Sequence, residues 1–221
     1  MDEPARDQRI DIGRLFIVPV FVFLMSINVY IAFNAAKDLF PLTAGHAVQT
    51  LNQVLVICFY AFIIVFYFQR RSAISTHPSL LTKGFAIAAT FIPFAFPLLR
   101  RTPLNNPARL LIANLFFLAG MALSVYAIKA LGKSISIVPQ ARSLVRNGPY
   151  RVVRHPLYLS ELIGAFGIAL SDATLPIVAL FILLAGLQLY RAVEEEKLLR
   201  QVFPEYEEYC SNTTRLIPGL F

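Results

Sequence analysis

Long apolar runs separated by short polar breaks dominate the first half of the chain. Four charge-free stretches come first, at residues 15–36, 48–68, 84–99 and 110–128, of 22, 21, 16 and 19 residues. About 20 apolar residues are needed to cross the hydrocarbon core of a bilayer, within a range of ~17–25. The first, second and fourth stretches meet that length. The third is short and contains Pro93 and Pro97, so it predicts a kinked span that flanking residues must complete.

The pattern changes after Leu131. Residues 132–154 are polar and basic and are interrupted by Pro139, Gly148 and Pro149, which predicts a surface loop. Residues 157–170 predict a short apolar helix. Ser171-Asp172-Ala173-Thr174 is a break whose residue types suit the cap of a following helix. Residues 175–190 are apolar, and 191–203 continue helically with charges. At ~1.5 Å per residue, a continuous helix over 175–203 is about 43 Å long, so it must leave the membrane. The two apolar segments together predict a hairpin that dips into or crosses the bilayer. The expected fold is all-α and polytopic. Four N-terminal transmembrane helices occupy residues 1–131, and a helix-hinge-helix hairpin with a cytosolic helical tail occupies 132–221.

Composition agrees with a lipid environment. The chain is 57% hydrophobic and only 15% charged, where about 25% charged is usual for a soluble domain. The net charge of +7 is unevenly placed. No Asp or Glu lies between Asp38 and Glu161, six basic residues run from Lys129 to Arg154, and six of the thirteen acids crowd into 194–208. Basic residues beside apolar spans point to an anionic lipid surface or ligand rather than to nucleic acid. Cys58 and Cys210 suggest neither a disulfide framework nor a metal site. Residues 1–14 mix four acids with three arginines and do not read as a signal peptide. The Lys/Arg bias near the spans places residues 1–14, 69–83 and 132–154 in the cytosol, although the 100–109 loop, outside with three basic residues, runs against it. The active face of a multi-pass protein is therefore expected to be cytosolic. The glycosylation pattern at Asn212-Thr213-Thr214 is expected to be unused there.

Two clusters carry candidate chemistry. The first is Gly148-Pro149-Tyr150-Arg151-Val152-Val153-Arg154-His155-Pro156-Leu157-Tyr158, which ends the basic loop and opens a helix. Pro156 suits a first helical turn, where its missing N–H does no harm. Arg154, His155 and Tyr158 would gather at that helix start, a place suited to anionic groups. Lipid-phosphate binding by the arginines, with Tyr158 as an interfacial anchor, is the plainer explanation. The second cluster is Arg191-Ala192-Val193-Glu194-Glu195-Glu196, with Arg191 and Glu195 four apart on one helix face. Alone it reads as a solvated charged helix after a membrane exit. The hairpin between the clusters brings them together in space, and such a site could hold a zwitterionic amino-acid moiety.

These residues carry a resemblance. GPYRVVRHPLYLSE, the hairpin, and then RAVEEEKLLRQVFPEYEEYCSNTTRLIP resemble the isoprenylcysteine carboxyl methyltransferase family over about residues 134–218. That is a membrane family that uses S-adenosylmethionine. The resemblance implies that Arg154, His155 and Tyr158 contact this cofactor, with Glu195 and Glu196 as the family's glutamate pair. It implies that Arg191 serves substrate or catalysis, and that a lipid-borne or prenylcysteine-like carboxylate is the methyl acceptor. The sequence departs from the family at Ser160, where glycine is common, and at Phe203-Pro204, where Phe-Gly precedes the tail tyrosines one residue further on.

Methyl transfer to a carboxylate needs alignment and no general base. An amine acceptor must be unprotonated, which makes His155 or Glu161 base candidates. A phospholipid amine methyltransferase is therefore one alternative. A membrane sterol- or steroid-type reductase using NADPH is another, since such proteins share the arginine-histidine-proline-x-tyrosine element and Glu161 fits them. The glutamate pair and the tail tyrosines favour the methyltransferase. A non-catalytic lipid-binding protein would bind no cofactor at all.

Overall fold

A computed structural model describes residues 12–37, 44–99, 107–171 and 173–219. Most of the 1–14 segment and of the 100–109 loop, whose charges entered the orientation argument, lie outside the described residues, as does Asp172 of the hinge.

Helix α1 spans Ile12–Lys37 and α2 spans Ala44–Gln69. Both are apolar almost all round, as helices surrounded by lipid should be. Large side chains such as Leu15, Phe16, Phe23, Tyr30 and Phe33 are exposed on α1, facing outward from the protein. The third apolar stretch is broken, as its prolines predict. Helix α3 (Leu80–Phe91) opens on Ser79, whose hydroxyl accepts from the Thr82 N–H. It passes into a 3-10 turn, Ile92–Ala95, that contains Pro93, and then into the short α4, Phe96–Leu99. Proline removes a backbone donor and clashes with the preceding turn, so the α-helical ladder cannot run through it.

Helix α5 (Pro107–Leu131) packs most extensively on α6 (Pro156–Ser171). Small residues let the two backbones touch. A Cβ on Gly120 would lie 2.7 Å from the Gly164 nitrogen and from the Ser160 carbonyl oxygen, and one on Gly167 would lie 2.6 Å from the Ala113 oxygen. The Ser124 and Ser160 hydroxyls bond at 2.6 Å across the same contact. Close approach through small residues, with hydroxyl pairs between, is how helices associate in lipid. Helix α7 runs unbroken over Leu175–Val202, 28 residues or about 42 Å. Its apolar part ends near Tyr190, and the charged residues that follow favour water over lipid. Among the described residues, four helical segments are long and apolar enough to cross a bilayer: Leu15–Asn34, Thr50–Gln69, Leu111–Ser134 and Leu175–Val202. The protein is an all-α polytopic membrane protein.

Two local expectations are corrected. Residues 132–154 are not a free surface loop. Gln140–Ala141 (β2) pairs antiparallel with Ser75–Thr76 (β1), and Ile135, Ala141, Arg142, Tyr150 and Val153 are buried. The 71–77 segment meets the loop's backbone groups: Arg71 N–H donates to the Lys133 carbonyl, Ile74 to Ala141 and His77 to Pro139. At the hinge, Thr174 is the N-cap of α7 by backbone conformation, but its side chain makes no capping bond and its hydroxyl is buried without a partner. Its carbonyl accepts from the Val178 N–H, and Pro176 supplies the pre-set first turn.

Candidate functional site

The basic motif is held in place by the tail. Thr214 lies in a parallel bridge with Val153, the Arg154 N–H donates to the Thr214 carbonyl at 2.8 Å, and the His155 N–H donates to the Arg215 carbonyl at 3.1 Å. Helix α8, Tyr206–Ser211, turns the tail back toward the motif, and the Tyr209 hydroxyl donates to the Tyr150 carbonyl at 2.7 Å. Pro156 then opens α6, so Arg154, His155 and Tyr158 are presented at a helix start against the charged end of α7.

The two sequence clusters do meet there. Glu196 is fully buried and is the hub. Arg154 Nε donates to it at 2.8 Å, and Arg215 grips both carboxylate oxygens at 3.0 Å through Nε and Nη2. His155 Nε2 lies 3.3 Å away, and Arg200 approaches at 3.7 Å. Burial alone would push the Glu196 carboxyl up, but the hydrogen bonds from His155, Arg215 and Arg154 outweigh it and hold the group well below the usual carboxylate range. Glu195 is different. Its side chain is 28% exposed, and it accepts from the Tyr158 hydroxyl at 2.6 Å. His155 Nδ1 is 3.7 Å from the same oxygen, and the His155 and Tyr158 rings stack at 5.1 Å with 7° between their planes.

Arg191 joins this cluster from one turn nearer the membrane. Its guanidinium lies 4.5 Å from the Tyr158 ring centroid, a cation–π contact. Nη1 donates to the Gln188 side-chain oxygen at 3.1 Å and Nη2 to the Ile137 carbonyl at 3.0 Å, while Nε is buried without a partner. Arg191 is 3% exposed and also faces a cavity of about 430 Å³ enclosed by α1, α2, α5 and α6 with the Pro93 turn. Phe21, Phe59, Tyr60, Phe117 and Met121 make most of this cavity apolar. Its volume falls within the range of ligand pockets, ~300–1,000 Å³. Glu161 and Arg191 are its charged residues.

All six residues expected from the sequence, Arg154, His155, Tyr158, Arg191, Glu195 and Glu196, fall in one connected group. Sequence reasoning missed Arg215, Gln188 and the cavity. A lone arginine in the polar tail was the only signal for Arg215, and Gln188 sits inside an otherwise apolar run. Among the described residues no three His, Cys, Asp or Glu side chains converge as a metal site.

Comparison with known proteins places these features. Residues 108–206 match the family model described as phospholipid methyltransferase. Over 80 residues the chain is 38% identical to the cobalt-zinc-cadmium resistance protein CzcN of Cupriavidus metallidurans, covering 35% of this chain and 37% of that protein. Over 83 residues it is 34% identical to the nickel-cobalt-cadmium resistance protein NccN of Alcaligenes xylosoxydans xylosoxydans, covering 37% and 38%. The matched stretch thus spans little more than a third of each relative. The segment matched by the family model runs from α5 to the start of α8 and holds the hairpin and most of the polar cluster.

Proposed function

We propose that this protein is an S-adenosylmethionine-dependent methyltransferase acting on a group carried by a lipophilic molecule in the membrane. The observation that carries the reading is the position of Arg191, which touches the polar cluster through Tyr158 and also lines the apolar cavity. A cofactor in the cluster and an apolar chain in the cavity would bring their reacting groups together at this arginine. The family match over residues 108–206 speaks for methyl transfer rather than for NADPH-dependent reduction.

S-adenosylmethionine would supply an activated methyl group on a sulfonium, and residues 132–221 would bind it. Glu195, partly exposed and steadied by Tyr158, is the carboxylate of the pair free to meet a cationic group of the cofactor. Arg154 and His155 line the same face, and Glu196, saturated by its own partners, braces them. In-line displacement depends on alignment, which is worth about 7–11 kcal/mol of barrier at best. The unpartnered Nε of buried Arg191 is a donor suited to an acceptor oxygen. That favours a carboxylate acceptor, of the prenylcysteine type, which needs no base. A phospholipid amine is the second reading, favoured by the family description. The amine would lose a proton to His155 before or during transfer.

The test is radiolabelled methyl transfer from S-adenosylmethionine by the purified protein in lipid, with a prenylcysteine analogue and phosphatidylethanolamine as separate acceptors. Label should enter one lipophilic acceptor, and which one decides between the two readings. Calorimetric binding of NADPH but not S-adenosylmethionine would overturn the proposal. We further place the active face in the cytosol. A C-terminal tag reactive only from the opposite side of sealed vesicles would reverse that orientation.

A further inference from the structure

Glu161 lies one and a half turns into α6, in an apolar helix, yet it is ionisable and faces the cavity. An acidic residue in such a place is costly to keep, which marks it for a task. Its neighbour defines the task. The Glu161 carboxylate accepts from the side-chain nitrogen of Gln188, which is fully buried on α7. The other end of the same amide, its oxygen, accepts from Arg191 Nη1 at 3.1 Å.

The order of these groups has a direction. An amide can present either its oxygen or its NH2 to a neighbour, and burial alone does not choose. The Glu161 oxygen accepts here, so it takes the NH2 of Gln188 to itself. The oxygen of Gln188 must then point at Arg191, which only donates. With Nη1 held by Gln188 and Nη2 by the Ile137 carbonyl, the guanidinium plane is fixed over Tyr158, at the residue that lines the cavity, and Nε is the donor left over. Flipping the amide would set NH2 against guanidinium, two donors face to face in a buried place, which costs a hydrogen bond and repels.

We infer that Glu161 is a positioning residue. Acting through Gln188, it holds the Arg191 guanidinium in the orientation that meets the acceptor, and it neither receives the acceptor's proton nor binds the cofactor. This rests on the methyltransferase reading for its catalytic readout but not for its structural one.

The experiment compares Glu161→Gln, Glu161→Ala and Gln188→Leu in the full-length protein in lipid. A glutamine at 161 still offers an oxygen to the Gln188 NH2, so Glu161→Gln should keep kcat within about threefold of the parent. Glu161→Ala and Gln188→Leu should each lower kcat about tenfold with cofactor affinity unaltered, and their double variant should be no worse than either alone. A proton-accepting or ammonium-binding Glu161 predicts the opposite. Glu161→Gln would then fall as far as Glu161→Ala, the pH–rate profile would lose its acidic limb, and the Gln188 effect would add. A second readout needs no turnover. Nitrogen-labelled arginine NMR, assigned with Arg191→Lys, should show slow guanidinium rotation in the parent and in Glu161→Gln, and faster rotation in Glu161→Ala. Equal rotation in all three overturns the inference. If the parent methylates no acceptor, the functional reading fails, and the NMR comparison still decides whether Glu161 positions Arg191.

Discussion

The polar cluster around Glu196 and the apolar cavity meet at Arg191 and are built on opposite principles. In the cluster, three arginines and a histidine converge on one buried carboxylate, and the tail's backbone fills the remaining bonds. Its residues are crowded into three short stretches, at 154–158, 191–200 and 210–215. The cavity is walled by side chains drawn from more than a hundred residues of chain, most of them ordinary for a membrane helix, with Glu161 and Arg191 the charged exceptions. The contrast separates two tasks. A fixed polar constellation orients charged groups, and a cavity of adaptable apolar walls accepts a chain by shape and area. Arg191 is the residue that belongs to both.

The sharpest way to break this contrast is to remove the hub. Glu196→Ala leaves Arg154 and Arg215 facing each other without a counter-charge, and breaking a buried ion pair from one side typically costs about 3–5 kcal/mol. Thermal unfolding should shift strongly and S-adenosylmethionine binding, read by calorimetry, should vanish while the apolar helices stay inserted. An unshifted unfolding curve would mean the cluster is not the brace described. Next is the helix contact that forms the cavity's wall. Gly120→Ala drives a methyl into backbone atoms at 2.7 Å, whereas Gly164→Ala meets only the Phe117 ring at 3.9 Å. The first should destabilise by about 1–3 kcal/mol, and the second should be close to neutral in the same unfolding assay.

Arg191→Lys tests the junction. Lysine keeps the charge but not the planar fork. Expression and insertion should be normal, yet methyl transfer should fall by roughly tenfold or more, about 1.4 kcal/mol of transition-state stabilisation. Full activity would reduce Arg191 to a membrane-exit anchor. The smallest effect concerns acid. A carboxyl whose folded pKa is depressed stabilises fully above its unfolded value and loses that contribution as pH falls toward the folded one. For Glu196, then, the tail should stay docked from neutral pH down to about the ordinary carboxylate pKa near 4.3. Below that it should loosen, which hydrogen exchange of the Arg154 and His155 amides would report.

Much of this was legible in the sequence because membrane helices announce themselves by length and by the absence of charge. The break at Pro93 followed from one residue's missing donor. The meeting of Arg154, His155 and Tyr158 with Glu195 and Glu196 followed from a hairpin of known reach. The 132–154 segment was misread because its basic residues dominate any average, while Ile135 and Ala141, which bury, are scattered singly among them. Arg215 could not be placed, since only the tail's parallel bridge to Val153 brings it to Glu196. Gln188 was invisible for a related reason. A single amide in an apolar run gains meaning only from the Glu161 and Arg191 it lies between.

The bridge between Val153 and Thr214 also sets a sequence of events in the making of the protein. Helices α1 to α7 can enter the membrane as they are synthesised, each satisfying its own backbone. The motif at 153–155 waits, because the carbonyls of Thr214 and Arg215 that its amides need are made some sixty residues later. Until then Glu196 lacks the two bonds from Arg215, and Arg154 lacks the carbonyls of Cys210 and Thr213. A ribosome stalled after α7 would therefore hold an inserted bundle with an unassembled site, and the protein would become competent only once residues 206–216 had folded back over it.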